Sequence, residues 1–151
     1  MHRKLLPLAL MYADDGEPIE GRTRLQKLVF LMQKELEQRE QSGMVGSAYE
    51  FIPYDYGPFS KDLYDDLDAM INQQFVDDTE EPLRSGKVKY VYEIEDDGQT
   101  LVETESENRE SVAEVVQVAQ EIKEEYNDML LSDLIEFVYS EYPDYAERSV
   151  Y

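Results

Sequence analysis

The clearest pattern along the chain lies in residues 22–39, RTRLQKLVFLMQKELEQR. Leu25, Leu28, Val29, Met32 and Leu36 recur at offsets 0, 3, 4, 7 and 11. That is one buried face of a helix, and Phe30 and Leu31 widen it until the helix reads as central. Residues 3–13 also read as a helix, with Leu5, Leu6, Leu8, Leu10 and Met11 too dense for one narrow stripe, and Asp14, Asp15 and Gly16 stop it. Residues 17–21 are then a short connection. Residues 61–73 carry Leu63, Leu67, Met70 and Ile71 on one face. Ser60 is placed to cap this helix, and Phe59 to staple onto its first turns.

Between these helices the period changes. The segment Gln41 to Ser47, with Gly43 and Gly46, reads as a loop. Tyr49 to Tyr54, YEFIPY, reads as a short strand or extended segment held at an edge by Pro53, and Gly57-Pro58 reads as a turn. Residues 87–94, KVKYVYEI, alternate strictly enough to predict a strand. Asp97-Gly98 is a turn signal, after which Thr100 to Glu103 either returns as a second strand or enters a helix. Residues 107–126 predict a helix burying Val112, Val115, Val116, Ala119, Ile122 and Tyr126. A last helix covers 133–141, with Ser132 as its cap and Pro143 ending it.

No internal repeat and no linker interrupts this order, so the expectation is one domain over 1–151. The fold class is mainly α (α+β): a winged-helix-like core with a short β ribbon (1–105), then an additional C-terminal helical segment (106–151).

Composition narrows the chemistry. The 151 residues contain no Cys, no Trp and a single His. That excludes disulfide scaffolds, thiolate nucleophiles and multi-histidine metal sites, and leaves Ser-His-Asp catalysis only His2 to work with. His2 sits at a terminus, where a catalytic base is poorly held. Adjacent carboxylate pairs such as Asp65-Asp66 and Asp96-Asp97 arise by chance among 35 Asp and Glu. They are read as solvated surface, not as a magnesium site. No enzyme activity, cofactor or metal is therefore expected.

The formal net charge is −21. Residues 1–75 hold 8 basic and 13 acidic residues, and residues 76–151 hold 6 and 22. Acidity spread along the chain, not gathered in a tail, suggests a surface adapted to molar salt. There the Debye length falls to ~3 Å and self-repulsion is screened. No stretch reaches the ~20 apolar residues of a membrane span. MHRKLLPLALM reads as a first helix, so a cytoplasmic protein is expected.

Two groups of residues break local rules in a way that invites function. Arg22, Arg24 and Lys27 open a helix where cations oppose the macrodipole. They suit phosphate contact or intramolecular pairing, and Arg84, Lys87 and Lys89 on the ribbon would supply a second phosphate contact. Tyr54, Tyr56 and Phe59 form an aromatic turn in a chain with twelve Tyr, a residue favoured at interfaces. Against DNA stands the helix after GPFS, whose Asp62, Asp65, Asp66 and Asp68 would face phosphates in a major groove.

GRTRLQKLVFLMQKE, YEFIPYDYGPFSKDLYDDL and FVYSEYPDY together resemble the YwgA-like proteins of bacteria and archaea over most of the chain. The GPFS element after a Tyr-rich strand resembles, more loosely, the Panacea (SocA-like) antitoxin domain. These resemblances imply a helical domain with a winged-helix-like part. The second implies toxin neutralisation or an adaptor role through protein contact. Neither supplies a catalytic residue.

The expectation is thus a small regulatory or adaptor module that binds a protein partner. DNA binding by a winged-helix regulator is the alternative. A homodimer would use the apolar face of the helix from Val112 to Tyr126.

Overall fold

The computed structural model describes residues 2–39 and 48–151. The loop read over Gln41–Ser47 lies outside the described residues. Among the described residues six helices dominate, with small antiparallel sheets between them, a mainly helical α+β arrangement.

Helix α1, Leu5–Gly16, buries Leu5, Leu6, Leu8, Leu10 and Met11. Its last turn breaks as the Asp-Asp-Gly signal predicts: Asp14 and Asp15 both take φ of 54° and Gly16 takes 73°. Asp tolerates this left-handed region better than most residues do. Strand β1, Ile19–Glu20, occupies the connection read over 17–21. Helix α2, Arg22–Gln38, is the central helix, buried on nearly every side.

Strands β2, Ile52–Tyr54, and β3, Gly57–Phe59, form a hairpin with Tyr54 opposite Gly57. The turn is therefore Asp55-Tyr56, and Gly57-Pro58, read as the turn, begins the returning strand. Helix α3, Lys61–Asn72, starts as expected. Ser60 Oγ accepts from Leu63 N–H, and Phe59 meets Tyr64 edge-on with centroids 5.2 Å apart.

Strand β4, Val76–Pro82, pairs along its length with β5, Val88–Ile94, and β1 pairs on the other side of β5. The order is β1-β5-β4. The sequence VDDTEEP carries too many carboxylates to be read as a strand. It becomes one because β5 supplies the ladder and Val76 enters the core.

Helix α4, Asp96–Asn108, follows directly, so Asp97-Gly98 lies in its first turn and Thr100–Glu103 is helical. Gly98 permits the junction: a Cβ there would sit 2.3 Å from the Phe75 carbonyl oxygen. Helix α5, Glu110–Tyr126, packs along α1 and α2 and buries Val112, Val115, Val118, Ala119 and Ile122. The face offered for dimerisation is thus occupied within the chain. Helix α6, Leu131–Glu141, begins before Ser132, which lies inside the helix and does not cap it. A short 3-10 turn, Pro143–Ala146, closes the fold.

One continuous core joins residues of α1 to α6. Phe30 is its aromatic hub, meeting Phe51, Tyr142 and Tyr145 edge-on at 5.3, 5.0 and 4.8 Å. Among the described residues, no helix is long and apolar enough to cross a membrane.

Candidate functional site

The β2–β3 hairpin has only three residues per strand, too few to hold its place alone. Helix α2 holds it. The Gln26 side chain donates to the Ser60 carbonyl and accepts from the Ser60 N–H, both at 2.9 Å. Seven residues later, the Gln33 amide does the same for Tyr49, at 3.0 and 2.9 Å. All four of these groups are buried, so each bond satisfies an atom that water cannot reach. Between the two amides stands Lys27, whose Nζ donates to the Tyr56 carbonyl at the hairpin turn.

The C-terminal segment completes the mounting. Val150 N–H donates to the Asp55 carbonyl at 2.8 Å, and Tyr139 donates to Ser149 Oγ at 2.6 Å. Gly57 takes φ of 108°, with Tyr139 3.1 Å and Lys27 Nζ 3.4 Å from where a Cβ would lie. The turn needs glycine on both counts, conformation and space.

A cavity of 370 Å³ opens beside this turn, lined by Thr23, Gln26 and Lys27 of α2, by Tyr54 to Phe59, and by Tyr64 of α3. Tyr54 stacks on Phe59 at 4.8 Å, and Phe59 meets Tyr64, giving the cavity an aromatic wall. Tyr54 and Tyr56 are each 47% exposed, and Ile52 on the same hairpin is 54% exposed. Lys27 is 1% exposed. Burial pulls its amine down to about 8.

The structure therefore brings Lys27, Tyr54, Tyr56 and Phe59 together and separates the other cations. Arg22 lies over Tyr90 at 4.3 Å and Tyr64 at 5.4 Å, and its Nε donates to the Tyr92 hydroxyl at 3.0 Å. Arg24 is buried and donates to the carbonyls of Asn127 and Tyr126 at 2.9 and 3.4 Å, capping the end of α5. Aromatic rings and carbonyls, not carboxylates, are thus the main partners of these three helix-opening cations. Lys89 pairs with Glu20 at 3.4 Å and Glu81 at 3.3 Å. Arg84 and Lys87 stand exposed at the β4–β5 tip. Of the four α3 carboxylates, Asp66 is partly buried and taken by Arg3 at 2.9 Å and the Tyr49 hydroxyl at 2.7 Å.

Sequence reasoning missed Gln26, Gln33 and Tyr64. The signal was there: two glutamines one heptad apart, among apolar residues of a helix already read as central. Polar side chains repeating inside a buried helix ask for buried partners.

The family model described as antitoxin SocA-like, Panacea domain, matches residues 25–143. That span begins just before Gln26 and Lys27 and takes in the whole hairpin. No curated protein and no solved structure matches the chain.

Proposed function

We propose, starting from the fact that the chain belongs to the SocA-like Panacea antitoxin family, that it is a small regulatory module of antitoxin type. It acts by gripping a protein partner, and the β2–β3 hairpin with its cavity is the gripping surface. The observation that carries this reading is the pairing of exposed apolar side chains with a rigid mounting. Tyr54, Tyr56 and Ile52 face outward from a hairpin held by buried amide pairs and a buried lysine. Tyrosines on a preorganised backbone lose little entropy on binding, which is why such residues dominate interface energetics. The module performs no catalysis in this reading.

The test is binding by a purified partner. A protein cross-linked to the hairpin in the source cells is identified, expressed, and titrated against the wild type and the Tyr54→Ala/Tyr56→Ala variant. The variant is expected to lose at least ~100-fold in affinity, the loss of two central aromatic contacts, while staying folded, with the melting temperature lowered only by the loss of the Tyr54–Phe59 stack. Equal affinity would overturn the reading.

A second reading rests on the order α1, β1, α2, α3, β4, β5, with the β2–β3 hairpin inserted between α2 and α3, and on the sheet order β1-β5-β4. We read this order as a winged-helix arrangement with the β4–β5 hairpin as the wing. Arg84 and Lys87 at its tip would then touch phosphate. The burial of Lys27 and Arg24 and the exposed Asp62, Asp65 and Asp68 on α3 weigh against this reading. Anisotropy with duplex DNA from low salt to molar KCl tests it: DNA binding lost in Arg84→Ala/Lys87→Ala would favour the regulator.

A further inference from the structure

We propose that Lys27 is a carboxylate-recognition site. Its ammonium receives a carboxylate of the protein partner, carried beside an aromatic side chain that enters the cavity walled by Tyr54, Phe59 and Tyr64. This inference rests on the hairpin being the docking surface, and it names the chemistry that surface reads.

Three observations converge on it. A lysine ammonium has three N–H donors, and among the described residues Lys27 has one acceptor, the Tyr56 carbonyl. The chain carries 35 carboxylates, yet Lys27 has no ion pair among the described residues, whereas Lys34, Lys61 and Lys89 all do. Among the described residues burial alone, with no neighbouring charge, accounts for its lowered amine. A buried cation without an anion is costly, and a protein this acidic had many ways to provide one.

The comparison with the other buried lysine sharpens the point. Lys123 of α5 donates to the carbonyls of Met11 and Ala13, at 3.2 and 2.7 Å, where α1 breaks. Asp14 and Glu17 act on it electrostatically, and it lines none of the described cavities. Lys123 is a helix cap with its charge answered. Lys27 lines a cavity, and among the described residues no ion pair answers its charge.

The size fits a single residue. At 370 Å³ the cavity lies at the small end of the ~300–1,000 Å³ that ligand sites span. That is room for one side chain and a carboxylate, not for a folded element. The ionisable groups facing it are Tyr54, Asp55 and Tyr56 from the hairpin and Tyr64 from α3, with Tyr139 of α6 against Gly57. Asp55 is the one carboxylate among them. It is exposed at the turn and forms no ion pair with Lys27, so the floor of the cavity stays positive.

The probe is a pair of short peptides, acetyl-Gly-Gly-Phe as the free acid and as the C-terminal amide. Both are titrated into the full-length protein while the Lys27 Nζ signal is followed by NMR with ¹⁵N-lysine. The acid is expected to bind about tenfold tighter than the amide at neutral pH, and a tenfold preference of the acid for the charged over the neutral amine raises the Lys27 titration by about one unit. Lys27→Met is expected to remove the preference for the acid. Acid and amide binding alike, or neither moving the Lys27 signal, would overturn the proposal and leave Lys27 as a strut for the Tyr56 carbonyl.

The wild-type spectrum carries this result even if Lys27→Met folds poorly. Titrating the cross-linked partner against Lys27→Met separates the two readings. Unchanged partner affinity there, with loss in Tyr54→Ala/Tyr56→Ala, would overturn carboxylate recognition and leave the docking surface standing. Unchanged affinity in both variants would overturn both.

Discussion

Gln26 and Ser60 exchange two hydrogen bonds of 2.9 Å, a helix side chain standing in for the neighbouring strand that Ser60 lacks. Gln33 repeats the device for Tyr49 two helical turns on. The hairpin between Tyr49 and Ser60 is thereby joined to α2 at both ends.

Gln26→Ala should destabilise the fold by ~2–4 kcal/mol, because it strands a buried donor and a buried acceptor together. Gln26→Glu is more diagnostic. An ionised carboxylate keeps the bond from the Ser60 N–H but sets a negative oxygen against the Ser60 carbonyl. The introduced carboxyl should therefore hold its proton in the fold, and the variant should regain stability as pH falls through its raised folded pKa. Chemical denaturation between pH 4 and 8 measures both effects.

Arg22→Lys should cost ~1–2 kcal/mol although charge is kept. The planar guanidinium lies over Tyr90 and bonds to the Tyr92 hydroxyl, and an ammonium cannot do both. Loss of thermal stability with an unchanged circular dichroism spectrum is the expected outcome.

Stability should rise between pH 8 and about 10. Burial depresses the amines of Lys27 and Lys123 to about 8. In that window the unfolded chain holds protons that the folded chain has lost, so folding gains as pH increases, by ~1–2 kcal/mol per lysine. Above about 10 the sign turns. Burial raises the hydroxyls of Tyr49, Tyr92 and Tyr126, so the unfolded chain is then the one that loses protons first. Lys27→Met should remove its share of the rise, which a pH series of urea titrations reads directly.

Gly98→Ala should cost ~1–3 kcal/mol or more, because a Cβ 2.3 Å from the Phe75 carbonyl oxygen meets backbone, which cannot swing aside. Gly86, with nothing within 4 Å of its Cβ position, serves as the control: alanine there meets only the strain of a φ of 85°.

A net charge of −21 should make the melting temperature climb from low salt to molar KCl, as screening relieves self-repulsion. A flat curve would end the reading of salt adaptation.

Helices α1, α2, α3, α5 and α6 were legible because their apolar residues repeat with the helical period, and Ser60 and Phe59 declared the start of α3 through side-chain chemistry alone; α4 was not, because Asp97-Gly98 resembles a turn and Thr100–Glu103 suits a strand as well as a helix. Strand β4 was not, since its character comes from pairing with β5 and not from its own VDDTEEP. Ser132 looked like a cap, but α6 begins at Leu131, and no side chain caps it. At the site, the hairpin aromatics were visible as a cluster. The fate of the cations was not, because Arg22, Arg24 and Lys27 lie within six positions of one another yet face rings, carbonyls and a cavity respectively. Which neighbours a helix face meets is decided by α3, α5 and β5, far away in sequence.

Strand β4 forms one edge of its sheet, with Asp77, Thr79, Glu80 and Glu81 exposed along it. A second copy aligning there would stack carboxylate on carboxylate, so in dilute buffer the edge refuses its own kind. Concentrated salt silences that refusal, and Pro82, which has no amide hydrogen to offer, becomes the remaining guard. In molar salt such an edge is thus open to self-templating that its charges prevent in dilute buffer. Protection of the edge there must come from Pro82 rather than from charge.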